Sequence, residues 1–240
     1  PDGLRDTAQS AYDDSKRLLQ RWHGCDRLSY AITPRFSPTS TPDQLSALGA
    51  LWAEHPDCPM QTHLSEQTDE IDWVRGLFPQ ARDYLDTYET HGLLGPGGIY
   101  GHAIHLTGRE KARLAEMDAS LVHCPTSNTF IGSGLFDMAG LSADGHRIGL
   151  ATDTGGGSSF SMLRTMAAAY EVAQLRGTRR NFTGWQPSAP PARCGWTRRW
   201  AIWNRARRRI SWSSIWRRPR PSRRPRPGPK TSGKRCSRRL

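Results

Sequence analysis

The chain has 240 residues, 36% of them hydrophobic, and a formal net charge of +12 at pH 7. That length is enough for one sizeable domain with a real core. The charge would suggest a nucleic-acid partner, but residues 191–240 hold 18 of the 34 Lys and Arg and none of the 22 Asp and Glu, which leaves residues 1–190 at −6. Five scattered cysteines (Cys25, Cys58, Cys124, Cys194, Cys236) form no CxxC, so neither a disulfide framework nor a cysteine-based zinc site is indicated. No signal peptide and no apolar run of membrane-spanning length is present, so the expected setting is soluble and cytoplasmic, with no membrane partner.

Taken in order, a helix is predicted over residues 6–23, where Tyr12, Leu18, Leu19 and Trp22 share a face and Gly24 provides the stop. A short strand follows at 28–32, ending in Thr33-Pro34-Arg35-Phe36-Ser37. Thr41-Pro42 supplies a helix cap and a proline at the first helical position, opening a helix to about Ala53. Then come a strand at 58–63, helices at 66–78 and 81–91 split by Pro79, a strand at 98–102 and a helix at 109–117. A strand at 120–123, a weak helix at 134–140, a strand at 146–152 and a helix at 159–175 complete the pattern. Strands alternating with helices mean α/β architecture, a parallel sheet with crossover helices. Five strands cannot close an eight-stranded barrel, so residues 1–190 are expected to be the C-terminal portion, about strands four to eight, of a (β/α)8 TIM barrel. The Arg/Pro/Trp-rich segment 191–240 is expected to be a separate, disordered tail.

The chemistry-bearing residues follow strands, on the side where such barrels build their sites. Gln61-Thr62-His63-Leu64-Ser65-Glu66 puts an imidazole at a strand end and a carboxylate three residues on. Tyr100-Gly101-His102 and Ala151-Thr152-Asp153 add a second histidine and an aspartate. Zinc lowers the pKa of its water to about 7, and a nearby carboxylic acid can then move protons, so the set suits a metal-assisted hydrolase. Each residue also has a plainer role: His63 as a core or capping histidine, His102 at a surface strand end, Asp153 as the turn former of Asp-Thr-Gly-Gly-Gly. His105 is expected to be structural, and His123 is a candidate for touching substrate. Asp69 and Glu70 read as a solvated first helical turn. Gly155-Gly156-Gly157 lacks the Lys-Ser/Thr of a phosphate loop and reads as a turn that lets backbone approach substrate. Met162 and Met166 read as helix packing.

Several segments carry a resemblance: Leu4–Thr7, Arg21–Gly24, Thr33-Pro34-Arg35-Phe36-Ser37-Pro38-Thr39-Ser40, Gln61–Glu66 with Asp69-Glu70-Ile71, Cys124-Pro125-Thr126-Ser127-Asn128, and Gly132-Ser133-Gly134-Leu135-Phe136. Over about residues 1–180 they resemble bacterial guanine deaminases of the amidohydrolase superfamily. The resemblance implies hydrolytic deamination of guanine to xanthine and ammonia, one zinc per site and a homodimer. It implies that His63 and Asp153 are metal ligands, with Asp153 also orienting the water. It makes Glu66 the proton-shuttling acid, places His102 beside the reacting ring carbon, and has Arg35 and Phe36 hold the purine. The family's His-x-His pair at the end of strand one has no counterpart here, so a complete metal site and full activity are not expected of this polypeptide alone. The tail bears on the same point. With permitted codons, a shifted frame over residues 201–216 gives a Pro-Gly-Lys-x-Ala-Asp-Phe-Val-Val run, similar to the segment by which amidohydrolases re-enter a small β domain. A frame-shifted tail, and no nucleic-acid partner, is therefore expected. The alternatives are an amidohydrolase acting on another aminated or chlorinated heterocycle, which Arg35-Phe36 argues against, and a non-catalytic protein that binds nucleic acid through its tail.

Overall fold

The structure, a computed structural model, describes residues 5–177. The expectations for the segment 191–240, its disorder and its shifted frame, lie outside the described residues. Helix starts follow capping chemistry. Thr7 accepts from the Ser10 amide to open α1 (Ala8–Trp22), and Thr41 accepts from the Gln44 amide to open α2 (Pro42–Glu54) with proline in its first turn. Asp83 caps α4 (Tyr84–Glu89) and Thr107 caps α5 (Gly108–Glu116) with Glu110 answering in a capping box. The remaining helices are α3 (Thr68–Leu77), α6 (Pro125–Phe130), α7 (Met138–Ala143) and α8 (Met162–Leu175).

Four strands, β1 (Met60–Leu64), β2 (Gly98–His102), β3 (Ser120–His123) and β4 (Arg147–Leu150), form one parallel sheet in chain order. Successive parallel neighbours joined through helices make an arc of a (β/α) barrel, as the alternation predicts. The register aligns Thr62, Tyr100, Leu121 and Ile148 in a row that is buried. The next row, His63, Gly101, Val122 and Gly149, lies on the other face and is only half-buried. Side-chain alternation along each strand thus separates a core face from a site face. Leu45, Leu51, Leu64, Leu85, Leu114 and Leu121 are fully buried in that core with Tyr88 and Tyr100. Helix α2 comes so close to the following layer that a Cβ on Gly49 would lie 1.9 Å from the His91 carbonyl oxygen.

Four expectations change. Residues 28–32 form no strand; Ile32 alone bridges to Met60, in parallel. The backbone groups are used elsewhere: Leu28 pairs with Gly24 and Cys25 in a turn, and the Tyr30 amide donates to the His23 ring. Helix α3 begins at Thr68 behind a Gln67 cap, which leaves Glu66 in the loop. Helix α7 lies at Met138–Ala143 instead of 134–140 because Asp137 caps it, and α6 was not expected, although Pro125 in its first turn is a start signal. Met162 and Met166 are exposed; α8 packs through Thr165, Ala169, Val172 and Ala173.

Candidate active site

Non-glycine residues take positive φ where the chain leaves the strands: Ser65 at 48°, His102 at 67°, Ala103 at 50° and Asp153 at 49°. That conformation is costly for a residue with a Cβ and persists where its surroundings fix it. Here the fixing is visible. The Ala103 amide donates to the Leu64 carbonyl at 2.9 Å, and the Ile104 and His105 amides both donate to that of Ser65 at 3.1 Å. The exits of β1 and β2 are thereby stitched together. From below, the buried Tyr88 hydroxyl donates to the His63 carbonyl at 2.8 Å and accepts from the Ser37 amide and the Thr62 hydroxyl. Buried Glu110 adds a second tie, accepting from the amides of Leu85 and Thr107.

On this frame the expected residues converge. The His63 Nδ1–H donates to the Arg35 carbonyl at 2.7 Å, which leaves Nε2 with its lone pair. The His63 ring stacks on that of His102, centroids 5.1 Å apart, and meets Phe36 at 5.7 Å. The Arg35 guanidinium lies 5.6 Å from the Phe36 centroid, within cation–π range. His63, His102 and Asp153 each offer one ligand atom within 4.8 Å of the others, an arrangement able to hold a metal ion. A cavity of about 350 Å³ opens beside them, with Thr33, Gln61, Gly101 and Leu150 also in its wall.

Glu66 Oε1 accepts from Asn128 Nδ2 at 3.2 Å and from Ser133 Oγ at 3.1 Å. Burial raises the Glu66 pKa, the Ser133 hydrogen bond opposes that, and the nearby carboxylates of Glu70 and Asp153 add to it. His102 Nδ1 lies 3.1 Å from the same Oε1, but burial and then His63 push the ring down to about 4, so this contact is not an ion pair near neutral pH. Asn128 Nδ2 donates to that Nδ1 at 2.8 Å.

Neighbouring residues sort themselves by their contacts. His123 is buried against Phe136, ring centroids 4.6 Å apart, and burial followed by His102 lowers it to about 3. Neither of its ring nitrogens has a partner. His105 Nε2 donates to the Ser133 carbonyl at 2.8 Å, the structural role expected of it. Cys124, pushed up to about 12 by burial, stays a thiol. Glu70 is not merely solvated: it accepts from the Glu66 and Gln67 amides and from the Tyr84 hydroxyl. The triple-glycine turn packs against Asp153 itself, since a Cβ on Gly156 would sit 2.7 Å from Oδ2. A second possible ligand group, His23, Asp57 and Cys58, is a strap: Tyr30 N–H donates to Nδ1 and Nε2 meets Asp57 at 3.0 Å, so no ring lone pair is left over. Sequence reasoning assigned no role to Asn128, Ser133 or Tyr88, although the first two stand in quoted motifs.

A parallel (β/α) arc with imidazoles and carboxylates gathered at its strand ends is a framework on which a metal-assisted hydrolase can be built. The chain belongs to the amidohydrolase family, whose model matches residues 5–189. Its relatives include the guanine deaminase of Escherichia coli, 47% identical over 179 residues that make up 75% of this chain and 41% of that protein. The solved E. coli guanine deaminase superposes with a TM-score of 0.73, covering 75% of this chain and 42% of that one. A guanine deaminase from C. acetobutylicum, solved with guanine in its active site, is 26% identical with a TM-score of 0.71, covering 81% and 46%. The chain thus spans about two fifths of the length of these relatives.

Proposed function

We propose that this chain carries the purine-binding and proton-transfer part of a guanine deaminase, which converts guanine and water to xanthine and ammonia. The observation that carries this is the joining of base-holding and ligand residues in one segment: the Arg35 carbonyl takes the His63 Nδ1–H while Phe36 lies against the same ring. Arg35 offers a planar donor fork to a carbonyl and ring-nitrogen edge, and Phe36 a face or edge to the flat base. Glu66, with its raised pKa, is suited to take a proton from the attacking water and pass it to the ring nitrogen beside the amino-bearing carbon and then to the departing amine. Neutral His102 is assigned the position beside that carbon.

The residues fit a zinc ion in part. His63 has the tautomer of a metal ligand, its other nitrogen donating to a carbonyl, and Asp153 lies in the same group. When bound, zinc supplies a water of pKa about 7. A catalytic zinc takes about three protein ligands, and His63 and Asp153 are the two assigned here among the described residues. We therefore propose that the 240-residue chain binds guanine and turns it over poorly.

Calorimetry with guanine and adenine, paired with an ammonia-release assay, tests this. Guanine should bind in preference to adenine, which lacks the carbonyl, and Arg35→Ala should weaken it about tenfold or more, the loss of roughly one charged hydrogen bond. Equal binding of both bases, or an Arg35→Ala chain that binds guanine normally, would overturn it. Another heterocycle as substrate is disfavoured by Arg35 and Phe36 and is checked by the same titration with aminated and chlorinated triazines. The homodimer and cytoplasmic setting belong to this proposal, and sedimentation of the purified chain tests the first. Among the described residues no helix is long and apolar enough to cross a membrane. DNA affinity that falls steeply with salt and vanishes on deleting residues 191–240 would instead support the tail-driven alternative.

A further inference from the structure

His63 and His102 stack almost parallel, and simple proximity makes both look like ligands beside Asp153. Their hydrogen bonds separate them. A histidine that ligates a metal through one nitrogen normally gives the N–H of the other to a carbonyl or carboxylate. His63 does so, to the Arg35 carbonyl. His102 Nδ1 instead has the Asn128 amide as its nearest partner, at 2.8 Å, with Glu66 Oε1 farther off at 3.1 Å and itself accepting from Ser133. The orientation of that amide follows from its second partner. Asn128 Nδ2 also lies 3.2 Å from Glu66 Oε1, and turning the amide over would set its carbonyl oxygen against that carboxylate oxygen. The Asn128 side chain is buried, and it spends its two N–H groups on His102 and Glu66 while its own carbonyl oxygen has no partner.

We propose that Asn128 is a positioning residue: by donating to both His102 Nδ1 and Glu66 Oε1, it fixes His102 as the Nε2–H tautomer and keeps it out of the metal ligand set. The His102 nitrogen turned away from Asn128 is then a hydrogen-bond donor, suited to a carbonyl or developing negative charge on a bound heterocycle. Asn128 thereby competes with Glu66 Oε1, 3.1 Å away, for the Nδ1 position. The consequence for turnover rests on the deaminase function proposed above; the tautomer does not.

The test is a long-range ¹H–¹⁵N correlation spectrum of the full chain labelled in histidine, at pH 7.5, with His102 assigned by its loss in His102→Gln. The wild-type ring should show the Nε2–H pattern, and should keep it when one equivalent of Zn(II) shifts the His63 Nε2 signal. Asn128→Asp places an acceptor opposite Nδ1 and should reverse the tautomer; Asn128→Ala should give a mixture. Far-UV circular dichroism confirms that each variant is folded, and should neither be, the wild-type spectra decide alone. An Nδ1–H pattern in the wild type, or a His102 Nε2 signal that shifts as His63 does on adding zinc, overturns the proposal. So does a folded Asn128→Asp chain whose His102 pattern matches the wild type. Absence of deaminase activity leaves these spectra interpretable, so failure of the enzymatic function and failure of this inference are told apart.

Discussion

At the scale of single residues, Glu66 is held by groups that pull its proton affinity both ways. Burial raises its pKa and the Ser133 hydroxyl, a donor to the charged form, lowers it. Ser133→Ala should therefore move the Glu66 titration midpoint upward, read by ¹³C shifts of the labelled carboxyl; a midpoint that stays or falls would contradict the cradle. His63 and Glu66 could be picked out in advance by their close spacing at a strand end, and His102 and Asp153 because they follow later strands. Asn128 and Ser133 could not. Serine and asparagine in helix starts and glycine-rich turns are commonplace, and their meaning comes from contacts with Glu66 across 62 and 67 positions of sequence. The tautomer of His63 was equally hidden, since a backbone carbonyl sets it.

At the scale of elements, periodicity located α1, α2, β2 and β3 well, because caps and alternation are local. It failed at residues 28–32, where a turn and the His23 ring claimed the backbone donors that a strand would need. Helix α4 shows how one element can serve a site it does not enter. Tyr88→Phe would leave the Ser37 amide and the His63 carbonyl short of a partner, at a cost of about 1–3 kcal/mol. Urea unfolding measures the loss, and weaker guanine binding should accompany it. A paired glycine experiment tests the packing of α2. Gly49→Ala drives a methyl into the His91 carbonyl and should destabilise by about 1–3 kcal/mol. Gly76→Ala in α3, where nothing lies within 4 Å, should stabilise by about 0.5–1 kcal/mol. Equal effects at the two sites would mean that α2 does not press against the His91 backbone.

At the scale of the molecule, two buried neutral histidines make the fold acid-sensitive. His102 and His123 titrate near 4 and 3 when folded, against about 6.5 when unfolded. Between those limits the unfolded chain binds more protons, so stability is full above about pH 6.5 and is lost as pH falls toward 4 and 3. Glu66 has the opposite sign: its raised folded pKa means that its contribution declines as pH climbs out of the carboxylate range. One pKa unit is worth about 1.4 kcal/mol, so His123 alone bears on the order of a few kcal/mol. His123→Phe, which can still lie against Phe136, should flatten the fall in urea midpoint between pH 7 and 4.5. A slope as steep as that of the wild type would place the acid sensitivity elsewhere.

The Arg35 carbonyl has one more consequence. Because it belongs to the main chain, no exchange of side chain at position 35 deletes it. A mutational scan of that position removes the guanidinium, proposed above to hold the base, and leaves the acceptor for His63 Nδ1–H in place. Altering the peptide itself, for instance by an ester in place of the Phe36 amide to weaken the carbonyl as an acceptor, is what would expose the coupling.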